Sequence, residues 1–348
     1  MNLTTKLLRP LGSGIAMGVP LITGILSKDP MICSVGAMGA FSYLAFQHRS
    51  FSYNLKAILI HGFALLSAFI LGAITSLIPW SAPFIIGCLS FTAFLLSKIY
   101  RLPKPDYFFV LMLYATGFNF HHQTQNVTAA LLAILHQSSY LLYGIVGSLA
   151  AGLLISAAER LPFHLPKDRF QQLSLKDKYY VALYHQPEMF LKAMHFSMIL
   201  FIATYSGYLL RASNGYWILI SAAAVLAGEH MENIKKRTIG RVLGGIVGLL
   251  LGFLLMALDL PLEAKAAILI VLNVLTEYFM PVNYTIANFF TNPQVLLLMT
   301  IGSSFVPLHL IPWRFSGTLI GSLLAMGLIF LMDFALKQIQ QSMIYRKE

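Results

Sequence analysis

The feature that most constrains this chain is a succession of long apolar segments, most of them joined by short polar loops. A segment of about 17–25 apolar residues can cross the hydrocarbon core of a bilayer. Hydrophobic residues make up 57% of the 348-residue chain and charged residues 11%, whereas a soluble domain carries about 25% charged residues. The sequence therefore predicts an all-α, polytopic membrane protein with no soluble catalytic domain.

Twelve candidate transmembrane helices can be counted. Their approximate centres are Val19, Met38, Leu66, Leu89, Leu111, Ile145, Leu200, Ile220, Leu249, Val271, Leu296 and Leu324. The first is interpreted as a retained helix rather than a cleaved signal peptide, because no small-residue cleavage site precedes Lys28.

The distribution of basic residues predicts the topology. With the N-terminus in the cytoplasm, 20 of the 24 Lys and Arg residues fall on the cytoplasmic side, as the positive-inside rule requires. Lys28, Arg211, Lys265 and Arg314 fall outside. Both termini are therefore expected in the cytoplasm, and the net charge of +11 reflects membrane topology, not binding to nucleic acid.

The two halves of the sequence share landmarks at similar spacing. An offset of 182 residues superposes His48 on His230, Gly62 on Gly244 and Pro79 on Pro261. We predict a first six-helix repeat over residues 1–160 and a second over residues 190–348, in the same orientation because six is even. The cytoplasmic linker between them, residues 161–189, can form an amphipathic helix at Leu173–Leu183.

The stretch "GEHMENIKKRTIGRVLGGIVGLLLG" (Gly228–Gly252) combines a basic loop with a glycine at every fourth position of the helix that follows. Glycines at that spacing form one stripe, which lets two membrane helices approach closely. We predict that this stripe, from Gly240 to Gly252, packs against another helix. The alternative is that glycine is simply common in membrane helices.

Charged residues at the start of this helix allow two interpretations. Lys235, Lys236 and Arg237 satisfy the positive-inside rule and suit an anionic lipid surface. Arg241 lies one turn deeper, where a charge is costly unless it faces a cavity or a partner. Arg241 and Arg237 are therefore candidate substrate-binding residues for an anion, and the alternative for Arg241 is an anchor at the membrane boundary.

The stretch "LNVLTEYFMPVNYTIANFFTNP" is polar for a membrane hairpin. Glu277 either serves a substrate pathway or proton relay or forms a structural pair with Arg241. Asn273 and Asn292 are further candidate substrate-binding residues, although such amides also bond across helices. Pro293 is expected to break its helix and free backbone groups for a substrate.

His61 lies within the third segment. It is a candidate site residue that can titrate near neutral pH, or a buried neutral histidine with one hydrogen bond. The adjacent His121 and His122 have no carboxylate or cysteine nearby, so no metal site is expected. The sequence has no phosphate-binding GxxxxGK[ST], HExxH or GxSxG motif, so neither an enzyme nor a cofactor is expected.

Three stretches carry a resemblance to a known family. Tyr216–Trp217 opens a helix, a polar loop follows, and Arg241-Val-Leu-Gly244 begins a glycine-rich helix. "YTIANFFTNPQVLLL" adds a Thr-x-Pro segment, and "GAMGAFSYLA" with "NLKAILIHG" looks like a first-half counterpart. Together they resemble the fusaric acid resistance (FUSC) family, which is distantly related to the aluminium-activated malate transporters.

The resemblance implies a multi-pass exporter, or a channel, for organic anions such as aromatic carboxylic acids in the bacterial inner membrane. The expected partners are a small organic anion and membrane lipids, and a homo-oligomer is plausible. Many relatives carry a large cytoplasmic domain between or after the halves, whereas only residues 161–189 separate the predicted halves here. The alternative function is a membrane scaffold or a protein that handles an anionic lipid, because either would use the same basic residues, Lys235, Lys236 and Arg237.

Overall fold

The structure is a computed structural model that describes residues 3–102, 104, 107–119, 126–164, 172–185, 188–210, 215–229, 231–258, 260–301 and 310–345. Every regular element in these residues is helical. The helices are α1 Leu3–Ser27, α2 Ile32–Ala45, α3 Phe51–Thr75, α4 Ala82–Tyr100, α5 Phe108–Phe118, α6 Val127–Ser139, α7 Leu141–Ala158, α8 Leu175–His185, α9 Glu188–Leu209, α10 Tyr216–Leu226, α11 Met231–Ala257, α12 Leu262–Phe279, α13 Tyr284–Thr300 and α14 Leu310–Tyr345.

The all-helical prediction is confirmed, and the described residues include seven helices long and apolar enough to cross a membrane. All twelve predicted centres lie within helices. The centres outside those seven helices lie in α2, α5 and α10, which are short, and in α12 and α13. The amphipathic helix predicted near Leu173–Leu183 corresponds to α8.

Packing between helices relies on small residues. In the second half, the glycine stripe of α11 faces α13: a Cβ on Gly248 would lie 2.5 Å from the backbone oxygen of Asn288. The predicted close contact is thereby confirmed. In the first half, Gly72 of α3 approaches the Tyr114 backbone of α5 in the same way. Because membrane helices gain little from expelling water from one another, such close approach is what holds them together.

Contacts between the halves are made by α1 with α12 and by α4 with α9. Phenylalanine pairs line the second contact, and Phe84–Phe201 and Phe94–Phe196 each have ring centroids 5.2 Å apart. Aromatic pairs at such distances stabilise a contact beyond the area they bury. Each half therefore covers a helix of the other.

Candidate functional site

Arg314 lies in the first two turns of α14, with only 4% of its surface exposed. Its Nε and Nη2 donate hydrogen bonds to Oδ1 of Asn292 at 3.1 and 2.9 Å. Its guanidinium carbon lies 3.9 Å from the centroid of the Trp217 ring. Nη1 is buried and has no hydrogen-bond partner among the described residues.

The positive-inside rule places Arg314 on the outer side but does not predict its burial. The burial follows from the packing of the helix that carries it. Gly317 and Gly321 follow on the same side of α14 and pack against Trp217 and Ile218 of α10. This close approach draws Arg314 into the seam between the helices.

Asn292 binds Arg314 from an unbroken helix, because α13 continues through Pro293. The prediction that Pro293 breaks the helix is wrong. Two amide side chains reinforce the turns before the proline. Nδ2 of Asn292 donates to the Asn288 carbonyl at 3.0 Å, and Nδ2 of Asn288 donates to the Tyr284 carbonyl at 2.8 Å.

Arg237 and Arg241 lie on either side of Tyr284, at the start of α13. The Arg237 guanidinium lies 4.7 Å from the Tyr284 ring centroid, and Nη1 of Arg241 donates to the Tyr284 hydroxyl at 3.3 Å. Nε of Arg241 is buried without a hydrogen-bond partner in the described part of the chain. Arg241 and Arg314 both donate to side chains of α13, Tyr284 and Asn292 respectively, so the three arginines form one electropositive cluster along that helix.

Glu277 does not form the alternative pair with Arg241. Its Oε1 forms an ion pair with Nη2 of Arg9 at 3.0 Å, and 14% of the Glu277 side chain is exposed. The expectation fails because α12 packs against α1, whereas Arg241 is on the side of α11 that meets α13. Glu277 therefore ties the two halves together.

Asn273 lies one turn before Glu277 in the same seam. Its Nδ2 donates to the hydroxyl and carbonyl oxygens of Ser13 at 2.6 and 3.0 Å. Its Oδ1 accepts from Nε2 of Gln294 at 3.0 Å. Asn273 is thus a bridge between α1, α12 and α13, and sequence reasoning missed the partners Arg9, Ser13 and Gln294.

His61 lies apart from the arginine cluster, on α3 of the first half. It lines a cavity of about 1230 Å³ bounded by α3, α4, α5 and α8. Its Nε2 is buried and has no hydrogen-bond partner among the described residues. Of the six predicted site residues, Arg237, Arg241 and Asn292 therefore share one region, Asn273 and Glu277 share a second, and His61 belongs to a third.

Glu229, in the loop that leads into α11, pairs with two lysines from the end of α4 and the segment that follows it. Its Oε1 lies 2.7 Å from Nζ of Lys98 and 3.1 Å from Nζ of Lys104. Burial raises the pKa of the Glu229 carboxyl, but hydrogen bonds and charge from the two lysines outweigh it and hold the pKa below its usual value.

The described residues contain no group of three or more metal-ligating side chains, and His121 and His122 lie outside the described residues.

Comparison with known proteins identifies the second half of the chain. Residues 199–328 match the family model described as fusaric acid resistance protein-like. The comparisons with curated proteins and with solved structures gave no match. The matched residues contain Trp217, Arg241, Asn292 and Arg314. The match and the apolar helices indicate a multi-pass membrane protein with a role in transport or resistance. The family predicted from the motifs, the fusaric acid resistance (FUSC) family, is thereby confirmed over residues 199–328.

Proposed function

We propose that the protein exports small organic anions, such as aromatic carboxylates, from the bacterial cytoplasm through its second half. One observation carries the proposal: Arg314 is buried, has no carboxylate partner among the described residues, and retains an unpaired Nη1. A buried charge is costly unless an opposite charge accompanies it. A bound anion would supply that charge and accept the free N–H groups.

The surroundings of Arg314 suit an aromatic carboxylate. Oδ1 of Asn292 and the Trp217 ring orient the guanidinium, whose remaining N–H groups can bond to carboxylate oxygens. Tyr216 lies beside Trp217, with ring centroids 4.6 Å apart. Aromatic rings at this point can stack on the ring of a substrate.

In this proposal, Arg241 and Arg237 form the cytoplasmic entrance of the anion pathway. Lys235 and Lys236 are exposed just before them and would raise the local concentration of an anion. An anion between Arg241 and Arg314 would relieve their mutual repulsion. Because the cytoplasm is negative, a monoanion that leaves gains about 2.3 kcal/mol per 100 mV, so export needs no ATP.

The same proposal includes twelve spans, two parallel six-helix repeats with a linker at residues 161–189, and both termini in the cytoplasm. The packing supports the repeats, because equivalent helices pair in both halves. The α3–α5 contact corresponds to α11–α13, and the α2–α7 contact corresponds to α10–α14. The contacts between the halves are also equivalent: α1 corresponds to α9 and α12 to α4, so the α1–α12 contact corresponds to the α4–α9 contact.

Efflux from proteoliposomes tests the transport proposal. We expect radiolabelled benzoate, at pH 8 and above the leak of empty liposomes, to leave wild-type vesicles faster when the membrane potential is negative inside. Arg314→Gln and Arg241→Ala should abolish this flux with the fold retained, while Lys265→Ala should not. Lys235→Ala should slow it, and less so at high salt. Normal flux in both arginine variants would refute the site.

Reporter fusions test the topology separately. Reporters after Glu159 and at Glu348 should both be cytoplasmic. An external signal at either position would refute the arrangement of spans and the repeats with it.

The second candidate function is a membrane scaffold or a protein that handles an anionic lipid. The exposed Lys235 and Lys236 favour it, because they would serve an anionic surface equally well. A scaffold would not transport benzoate, so the arginine variants would have no benzoate flux to reduce. Wild-type vesicles that release benzoate no faster than empty liposomes would favour this alternative.

A further inference from the structure

A cavity in the first half, separate from the arginine cluster, has the chemistry of a binding site. It has a volume of about 1230 Å³, which exceeds the roughly 300–1,000 Å³ of a pocket for a drug-sized ligand. We infer that it binds a single-chain amphiphile with an anionic headgroup, such as a long-chain carboxylate, taken from the surrounding bilayer. This inference does not depend on the proposed export of small anions.

The headgroup end of the cavity is basic. Arg49 and Lys56 line it from the start of α3, Arg101 lines it from the end of α4, and Lys178 lines it from α8. No acidic residue is among the described residues that line it. Four cations around one opening would attract and bind a carboxylate or phosphate.

Tyrosine rings accompany two of these cations. The Arg49 guanidinium lies 4.9 Å from the ring centroid of Tyr53, and Nζ of Lys178 lies 5.9 Å from that of Tyr100. Cation–π contacts hold the charges at the opening. His61, about one turn deeper than Lys56, also lines the cavity.

The remainder of the cavity is apolar and elongated. Small residues on one side of α3, Ala57, Ala64 and Ala68, leave the space that the ligand would fill. From Lys56 to Leu71 the helix rises about 22 Å, at about 1.5 Å per residue. A second, adjoining cavity of about 370 Å³ shares Leu71, Leu89 and Thr92 with the first and continues the apolar path.

The cavity is also accessible from the side. Ile60 and Leu96 line it, yet their surfaces are 69% and 50% exposed. They lie on α3 and α4, which make few direct contacts with each other. An alkyl chain can therefore enter laterally from the bilayer while its headgroup stays at the basic opening.

Binding of palmitate to the full-length protein in nanodiscs tests the inference, with native mass spectrometry or radiolabelled ligand as the measurement. Hexadecylamine has the same tail with a positive headgroup, and octanoate has the same headgroup with a short tail. We expect palmitate to bind at least about tenfold more tightly than either, because both charge and apolar contact contribute. Equal binding of hexadecylamine would refute the anionic headgroup.

Two variants locate the ligand. Ala64→Trp fills the cavity and should abolish palmitate binding, whereas Lys56→Glu, which reverses one charge at the opening, should weaken it about tenfold. Lys236→Glu, an equal charge change at an exposed position outside the cavity, is the matched control. Palmitate binding unaffected by Ala64→Trp and Lys56→Glu would refute the site. Loss of a dimer in Ala64→Trp, without palmitate bound to the wild type, would mean that a second copy covers this face.

Discussion

The guanidinium of Arg314 stacks on the indole ring of Trp217, with 3.9 Å between its central carbon and the ring centroid. The pair joins α14 to α10, and Arg314 forms no ion pair with an acidic residue in the described part of the chain. A cation–π contact that is desolvated contributes about 2 kcal/mol or more, against about 0.5–1 kcal/mol for an exposed one. It therefore offsets part of the cost of burying Arg314.

Replacement of Trp217 by leucine should show this contribution. We expect Trp217→Leu to lower the free energy of unfolding by about 2 kcal/mol or more, because the variant loses both the ring face and its packing. Thermal unfolding in detergent measures the change. Trp80→Leu is the control, because 63% of Trp80 is exposed and its replacement should have little effect. Equal loss in both variants would contradict the assignment.

The glycine stripe of α11 allows a matched pair of glycine substitutions. A Cβ at Gly248 would meet the Asn288 carbonyl at 2.5 Å and the Asn292 Cβ at 2.9 Å. Gly248→Ala should therefore destabilise the protein by about 1–3 kcal/mol through overpacking. At Gly327 of α14 nothing lies within 4 Å, so Gly327→Ala should leave stability unchanged or raise it by up to about 1 kcal/mol. A Gly248→Ala variant that melts like the wild type would contradict the close contact.

The Arg9–Glu277 pair joins the two halves, and a double-mutant cycle measures its strength. We expect Arg9→Met and Glu277→Gln to be individually destabilising, with a coupling energy of about 0.5–3 kcal/mol. Chemical denaturation of all four proteins gives this value. Additive effects would show that the pair contributes nothing beyond its separate residues.

Transport by Glu277→Gln separates two roles of this carboxyl. Because Glu277 pairs with Arg9, we expect it to be a counter-ion, and the variant should retain any dependence of flux on a pH gradient. A proton relay predicts the opposite result. Loss of that dependence in Glu277→Gln, with the fold intact, would assign it to proton transfer.

The stability of the loop between α10 and α11 should depend on pH through Glu229. Its pKa in the folded protein is lowered, despite burial, by Lys98 and Lys104. The stabilisation is therefore present above the unfolded value of about 4.3 and is lost as the pH falls through the folded pKa. Glu229→Gln should be less stable than the wild type by up to about 1 kcal/mol at pH 7. The difference in stability between the two proteins should disappear at acid pH. A difference that does not depend on pH would contradict the assignment.

Properties encoded within one segment could be predicted from the sequence. Hydropathy placed each of the twelve centres in a helix, and a four-residue glycine period identified the face of α11 that meets α13. Both patterns depend only on residues close in sequence. The all-helical fold therefore followed directly, whereas the order in which helices pair did not.

The partners of the polar residues could not be predicted, because they depend on contacts between distant segments. Asn273 and Ser13 are 260 residues apart, and no local pattern brings them together. Arg314 was the exception with a usable signal. It lies three residues before Gly317 and seven before Gly321, on the same side of the helix, so the small-residue face already indicated a buried position.

The packing of each half against a helix of the other has a consequence for biosynthesis. The aromatic side of α4 is covered by α9, which the ribosome completes only when residue 209 has been added. Similarly, α1 acquires its contact with α12 only after residue 279. The helices of the first half are therefore made before the protein surfaces that cover α1 and α4 exist, and the nascent chain reaches its final arrangement only late in translation.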